Sequence, residues 1–261
     1  SRGLGDVYKR QISNRAGRER LIFALDMVED MKGVEEWIEV LKDHVGMFKV
    51  GKELFTRLGP PVVSRIKESG GEVFLDLKFH DIPNTVAKAS EAAVNLGVSM
   101  FNIHALGGKK MMEEAARSVR ECSEKMKLPV PSVIAVTVLT SLDDADIREI
   151  GFDCSTAELV PKLAGFARDA GLSGVVASAQ DVSSIREACG EDFLIVTPGI
   201  RVDEGIVGDD QKRILTPKRA ISMGADYIVV GRPIRMADDP VAMADRISGD
   251  IEEGLGERVR H

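Results

Sequence analysis

Eight short apolar runs recur along this chain, each separated from the next by a longer amphipathic stretch. The runs span residues 21–25, 47–50, 73–77, 100–103, 133–138, 174–177, 193–196 and 227–230. They are rich in β-branched and aromatic residues and are bounded by polar or glycine residues, as strands buried on both faces of a parallel sheet are. Between them the pattern predicts helices over residues 34–43, 61–69, 85–96, 109–126, 157–170, 182–188 and 217–223, with a last one from about 240 to 251. Gly70, Gly97, Gly171, Gly190 and Gly224 follow five of these, where helices stop. Eight strand–helix units in 261 residues, without a composition break, predict an α/β protein: a single-domain, closed (β/α)8 TIM barrel. An open doubly wound sheet is the alternative. The first loop lacks the G-x-G-x-x-G turn that the dinucleotide-binding version of that sheet needs.

Composition narrows the function classes. A formal net charge of -7 argues against a general nucleic-acid binder, which carries a basic face. No apolar run approaches the ~18 residues of a membrane span, and no secretory signal pattern is present. Cys122, Cys154 and Cys189 are scattered, without metal-ligand spacing or an obvious histidine partner, which suggests reduced thiols in a cytoplasmic protein. Residues 1–18 are polar, basic and aperiodic. They read as a disordered or non-native extension, leaving 19–261 as the barrel domain.

In such a barrel the active site sits at the carboxyl ends of the strands. Those ends carry Asp26, Lys49, Asp76 with Lys78, Asn102 with His104, then Thr137, Thr140 and Ser141, then Thr197-Pro198-Gly199-Ile200-Arg201, and finally Gly231-Arg232-Pro233. Lys49, inside Met47-Phe48-Lys49-Val50-Gly51, is costly to bury without a charged partner. A structural ion pair between Lys49 and Asp76 would meet that need; so would a functional site, where perturbed ionisable groups cluster. Asp76 and Lys78 are two apart and project to one side of a strand, with Asp81 just beyond. A lysine between two carboxylates stays protonated. It is then a poor Schiff-base nucleophile but a good electrostatic partner and proton donor.

The loops after strands seven and eight are where barrels commonly hold a phosphate. Gly199 and Gly231 let backbone N–H groups approach an anion, and Arg201 and Arg232 add charged, forked donors. Residues 202–213, containing Asp209-Asp210-Gln211, have the length and composition of either a plain surface loop or a lid that closes on a ligand. His80 and His104 could join Asp76 and Asp81 around a metal, but no His or Cys spacing supports a transition-metal site. His104 reads instead as a hydrogen-bond donor on the rim.

The ordered set Phe23-Ala24-Leu25-Asp26, Phe48-Lys49-Val50-Gly51, Asp76-Leu77-Lys78-Phe79-His80-Asp81-Ile82-Pro83-Asn84-Thr85, Asn102-Ile103-His104-Ala105, Thr137-Val138-Leu139-Thr140-Ser141, Thr197–Arg201, Asp210-Gln211 and Val230-Gly231-Arg232 resembles the orotidine 5′-monophosphate decarboxylase family. The D-x-K-x-x-D core is shared with other barrels of a wider superfamily; the full ten-residue string is far more specific. The resemblance implies decarboxylation of orotidine 5′-monophosphate to UMP, the last step of de novo pyrimidine biosynthesis, without a cofactor or metal. It implies that Lys78 donates a proton to C6, in a charged array with Lys49, Asp76 and Asp81. Asp26 and Lys49 would hold ribose hydroxyls and Thr140 the pyrimidine. Arg201, Gln211, Gly231 and Arg232 would bind the 5′-phosphate. It further implies a homodimer in which Asp81 and Thr85 reach the neighbouring site. Two other readings remain: a Mg²⁺-dependent sugar-phosphate decarboxylase or aldolase with a similar core, and a non-catalytic nucleotide-binding barrel.

Overall fold

The computed structural model describes residues 16–200 and 216–258. Its strands are β1 (Leu21–Ala24), β2 (Met47–Gly51), β3 (Val73–Phe79), β4 (Met100–His104), β5 (Ser132–Val136), β6 (Gly174–Val176), β7 (Leu194–Pro198) and β8 (Tyr227–Val230). Each pairs in parallel with the next, and β8 closes onto β1. The expected (β/α)8 barrel is therefore the observed fold, and the open sheet is not. Among the described residues, no helix is long and apolar enough to cross a membrane.

Alternation along the strands divides the buried side chains into two cores. Ile22, Ala24, Phe74, Met100, Ile134, Val196 and Val229 fill the barrel interior. The residues between them, such as Leu21, Phe23, Phe48, Leu75, Phe101 and Ile228, pack outward against the helices. The period of two then makes a prediction about polar residues. Lys49, Asp76 and Asn102 lie two positions beyond Met47, Phe74 and Met100, so they form the next inward layer at the carboxyl end of the barrel.

Some boundaries differ from those the apolar pattern predicts, for local reasons. The helix expected from residue 34 is Met31–Leu41, because Asp30 accepts from Gly33 N–H at 2.8 Å and starts it early. Helices Lys52–Leu58, Asp144–Glu149 and Arg232–Arg235 were absent from the expected set. Each is about two turns or less, with a single buried apolar residue (Leu54, Ile147 or Ile234), so no periodicity announces it. β3 runs two residues further than expected, and it does so through an irregularity. Leu75 pairs with Phe101 and Phe79 with Ile103, so three residues of β3 face Asn102 alone.

Candidate active site

The inward polar layer is built from alternating charges. Lys49 Nζ donates to Asp26 Oδ1 at 2.9 Å and lies 3.3 Å from Asp76 Oδ2. Lys78 Nζ donates to Asp76 Oδ1 at 2.6 Å. The result is a row Asp26–Lys49–Asp76–Lys78 that starts in solvent, at a half-exposed Asp26, and runs inward. Lys49 and Asp76 are its buried members, with side chains 10% and 13% exposed. The Lys49–Asp76 pair that the sequence suggested is thus present, as one link of a longer row. Its alternation keeps the burial of each charge affordable, since every buried ion has an opposite neighbour.

Burial pushes the Asp76 carboxyl up. The charges of Lys49 and Lys78, with hydrogen bonds from Lys78 and Asn102, outweigh it and hold the group below the usual carboxylate range. Asp76 is therefore an anion at neutral pH.

Lys78 is aimed by its backbone. Its φ is +52°, a region non-glycine residues seldom enter, and holding it there costs about 1–3 kcal/mol. The strand irregularity and this dihedral coincide. The Lys78 N–H finds no backbone acceptor on β4 and donates instead to Asn102 Oδ1 at 2.7 Å. Asn102 Nδ2 in turn donates to Asp76 Oδ1 at 2.6 Å. The sequence placed Asn102 on the rim but gave it no part in the site.

Two glycines leave space beside Asp26. A Cβ on Gly51 would sit 3.2 Å from both Asp26 Oδ1 and Lys49 Nζ. A Cβ on Gly231 would sit 3.3 Å from the Ala24 Cβ and 4.0 Å from Asp26 Oδ2. A ligand hydroxyl can occupy the volume that two side chains would otherwise take. The signal for Gly51 was in its spacing, two residues after Lys49 on the same face of β2.

The remaining expected residues are more dispersed. Asp81 is exposed and its Oδ1 accepts from the Ile82 N–H at 2.7 Å; among the described residues no ion pair includes it. Thr85 is exposed in the first turn of helix Pro83–Asn95, and Ile82, just before that helix, is 66% exposed. Thr140 is exposed in the loop beyond β5. Gly231 precedes the short helix Arg232–Arg235, with Arg232 exposed, beside the end of β7, where Pro198 pairs with Val229. Arg201, Gln211 and the loop of residues 202–213 lie outside the described residues.

His104 takes a local role as well: its Nδ1 accepts from the Leu106 N–H at 3.4 Å, capping the turn Ala105–Gly107, which leaves Nε2 as the donor nitrogen. Its ring stacks on His80, with centroids 5.1 Å apart and planes at 21°. Burial, followed by the charges of His80, Lys52 and Lys78, lowers its pKa to about 4, so the ring is neutral at pH 7. The two histidines do not gather with Asp76 and Asp81, and no cluster of three metal-ligating side chains occurs among the described residues.

Chemically, this arrangement presents an ammonium, fixed in direction and tied to a buried anion, at the mouth of an apolar barrel interior. It suits a reaction in which negative charge appears on a substrate atom and is then protonated. Known proteins agree with the geometry. Residues 19–247 match the family described as "Orotidine 5'-phosphate decarboxylase / HUMPS family". The chain is 58% identical to the orotidine 5'-phosphate decarboxylase of Syntrophus aciditrophicus over 95% of its length and 99% of that protein's. It is 54% identical to the enzyme of that name from Syntrophotalea carbinolica over 92% of its length and 98% of that protein's. The crystal structure of orotidine 5'-phosphate decarboxylase from Lactobacillus acidophilus superposes with a TM-score of 0.78 at 37% identity, covering 88% of this chain and 98% of that one.

Proposed function

We propose, from the premise that this chain belongs to the orotidine 5′-phosphate decarboxylase / HUMPS family, that it converts orotidine 5′-monophosphate to UMP and CO₂ as a step of pyrimidine biosynthesis. The observation that carries the reading is the row Asp26–Lys49–Asp76–Lys78, which ends in an ammonium with one buried anionic partner.

The chemistry explains why such a row is needed. When the C6–carboxylate bond breaks, its electron pair stays on C6 in an orbital lying in the ring plane. That orbital is orthogonal to the ring π system, so resonance does little for it. An ammonium held at C6 stabilises the developing charge electrostatically, in a site where water cannot compete. The same group then gives its proton to C6, CO₂ departs, and the neutral amine of Lys78 regains a proton from solvent. Asp76 holds the Lys78 ammonium in place before the reaction, and its own charge faces the departing carboxylate.

The other roles are those the family resemblance implies. Asp26 and Lys49 hold ribose hydroxyls in the space left by Gly51 and Gly231. Thr140 contacts the pyrimidine. Gly231 and Arg232, with Arg201 and Gln211, grip the 5′-phosphate. That grip is remote from C6, so its binding energy can serve to close the site around the reacting carbon. Asp81 and Thr85 are exposed next to the exposed Ile82, which supports a homodimer in which they complete the neighbouring site. We place the enzyme in the cytoplasm, in keeping with three free thiols and no disulfide.

The test is the fall in ultraviolet absorbance as orotidine 5′-monophosphate becomes UMP, followed with and without a chelator. Turnover that survives chelation is expected. Inertness toward the nucleotide, with Mg²⁺-dependent turnover of a pentulose or hexulose phosphate, would replace this reading by the sugar-phosphate one.

A further inference from the structure

Resting on the reading of Lys78 as proton donor, we propose that Asn102 is a positioning residue for the reaction: its buried carboxamide clamps the irregularity of β3, so that Asp76 and Lys78 meet the substrate as one fixed unit.

The ladder between β3 and β4 has a gap. Residues 76–78 have only Asn102 opposite them, and the Lys78 backbone has turned to positive φ. A buried N–H without an acceptor is costly, so the turn persists only if something replaces the missing strand carbonyl. Asn102, 1% exposed, supplies it from its side chain. The orientation of the amide is forced. A backbone N–H can only donate, so Oδ1 must face Lys78; Nδ2 must then face Asp76, which as an anion can only accept. One amide therefore ties the Lys78 backbone to the same Asp76 oxygen that receives the Lys78 ammonium. The three groups close a ring, and the direction of the ammonium follows from it.

Neither an apolar nor an ionised side chain does this at position 102. Leucine would leave the Lys78 N–H bare and Asp76 short of a donor. Ionised aspartate would set one carboxylate against another. Protonated aspartic acid, however, reproduces the amide: its carbonyl accepts from Lys78 and its O–H donates to Asp76. That equivalence provides the test.

Asn102→Asp and Asn102→Ala are compared with wild type for kcat, KM, UMP affinity and thermal unfolding across acid to neutral pH. At neutral pH, kcat of Asn102→Asp is expected to fall about 10²-fold, the cost of a small misplacement of a reacting group. KM and UMP affinity should hold within about threefold, because Asn102 acts through Lys78 and not on the substrate. As pH falls, the introduced carboxyl protonates and the ratio of variant to wild-type kcat should climb. The ratio for Asn102→Ala, which adds no titrating group, should stay flat. Asp76 and Lys78 touch the carboxamide, Lys49 lies on the far oxygen of Asp76, and His104 is on the same strand; a pH response common to wild type and variant cancels in the ratio, and Asn102→Ala reports what loss of the amide alone does to these neighbours. Asn102→Asp is isosteric and carries the test even where Asn102→Ala does not fold. A normal kcat in Asn102→Asp, a loss confined to the unfolding midpoint, or a low ratio that ignores pH overturns the clamp. Wild-type protein inert toward orotidine 5′-monophosphate would instead overturn the functional reading on which it rests.

Discussion

Asp76 holds the Lys78 ammonium through one carboxylate oxygen, at 2.6 Å, and gives its other oxygen to Lys49, 3.3 Å away. One anion thus serves two cations inside the barrel. A substrate carboxylate brought beside Lys78 must share that cation with Asp76. Under the proposed function, the same Asp76 carboxylate therefore sets the negative charge that the substrate loses on reaction against a second one.

The acid dependence of folding reports this arrangement. The folded Asp76 carboxyl titrates below its ordinary value of 3.8, so its contribution to stability is fully present above that pH. It is lost as pH falls through the lower, folded value. Asp76→Asn should therefore be less stable than wild type by about 3 kcal/mol at pH 7, because two lysines lose their shared partner. The gap should close progressively in acid. Urea unfolding of both proteins at neutral pH and at steps below pH 4 checks the sign; a gap that widens in acid would mean the pairing is misjudged.

Under the proposed function, Lys78→Ala removes both the electrostatic stabilisation of the developing charge and the proton source. General acid catalysis alone contributes about 10²–10⁴-fold, and a preorganised charge adds a comparable factor, so kcat should drop by at least about 10⁴. The fold should survive, since Lys78 is only partly buried and truncating it leaves Asp76 paired with Lys49. UMP affinity, which the proposed function assigns mainly to phosphate and ribose contacts, should change little. Single-turnover assays with calorimetric UMP titration separate these effects, and retention of more than a hundredth of the activity would remove Lys78 from the chemistry.

Asp81 and Lys78 should complement each other across subunits. Lys78→Ala and Asp81→Ala are each expected to be nearly inactive as pure proteins. If Asp81 serves the neighbouring site, a mixed dimer holds one site with both residues intact and one with neither. Equal mixing makes half the dimers mixed, with one good site in two, so activity should return to about a quarter of wild type. Recovery is measured after reversible dissociation, with exchange verified by differently tagged subunits. No recovery in verified mixed dimers would place Asp81 outside the shared site.

How far the sequence disclosed this site depends on which contacts are local. Buried parallel strands announce themselves as apolar runs, so all eight were legible. The period of two put Asp76 and Lys78 on one side, and the isolated charge of Lys49 among apolar neighbours demanded a partner. What was hidden depends on a second strand. Nothing near Lys78 indicates a positive φ, because the cause lies in the register between Leu75 and Phe79 against β4. Asn102 reads in sequence as one more rim residue, because its amide spans a gap that only the pairing of β3 with β4 creates. The helix Asp144–Glu149 did carry a local signal, the reciprocal cap of Asp143 and Asp146, but too little apolar pattern to be noticed.

Arg186 was hidden for the same reason, and it supports a prediction about the opposite end of the barrel. An arginine in a short amphipathic helix, Val182–Cys189, looks solvated, yet this one is buried. Its Nη1 donates to the carbonyls of Gly190, Glu191 and Phe193, at 2.9, 3.0 and 2.6 Å. Its Nε and Nη2 donate to Gly224 O at 2.9 and 2.7 Å, and Nη2 also pairs with Asp226. Asp226 Oδ2 accepts from the Ile195 N–H at 2.8 Å, fastening the start of β7 to the turn before β8. All these groups sit at the amino ends of the strands, where barrel residues serve stability and not chemistry. Arg186→Met fills similar volume but leaves four carbonyls without their donor and a buried carboxylate with weaker company. The expected loss is about 3–5 kcal/mol, or roughly 10 °C in the unfolding midpoint. The kcat of the folded fraction at 25 °C should be unchanged, because the Asp26–Lys78 row lies at the other end of the barrel. Calorimetry and active-site-normalised kinetics on one preparation test both halves. A kcat that falls with the midpoint would show that the lower face of the barrel governs the geometry of the upper one.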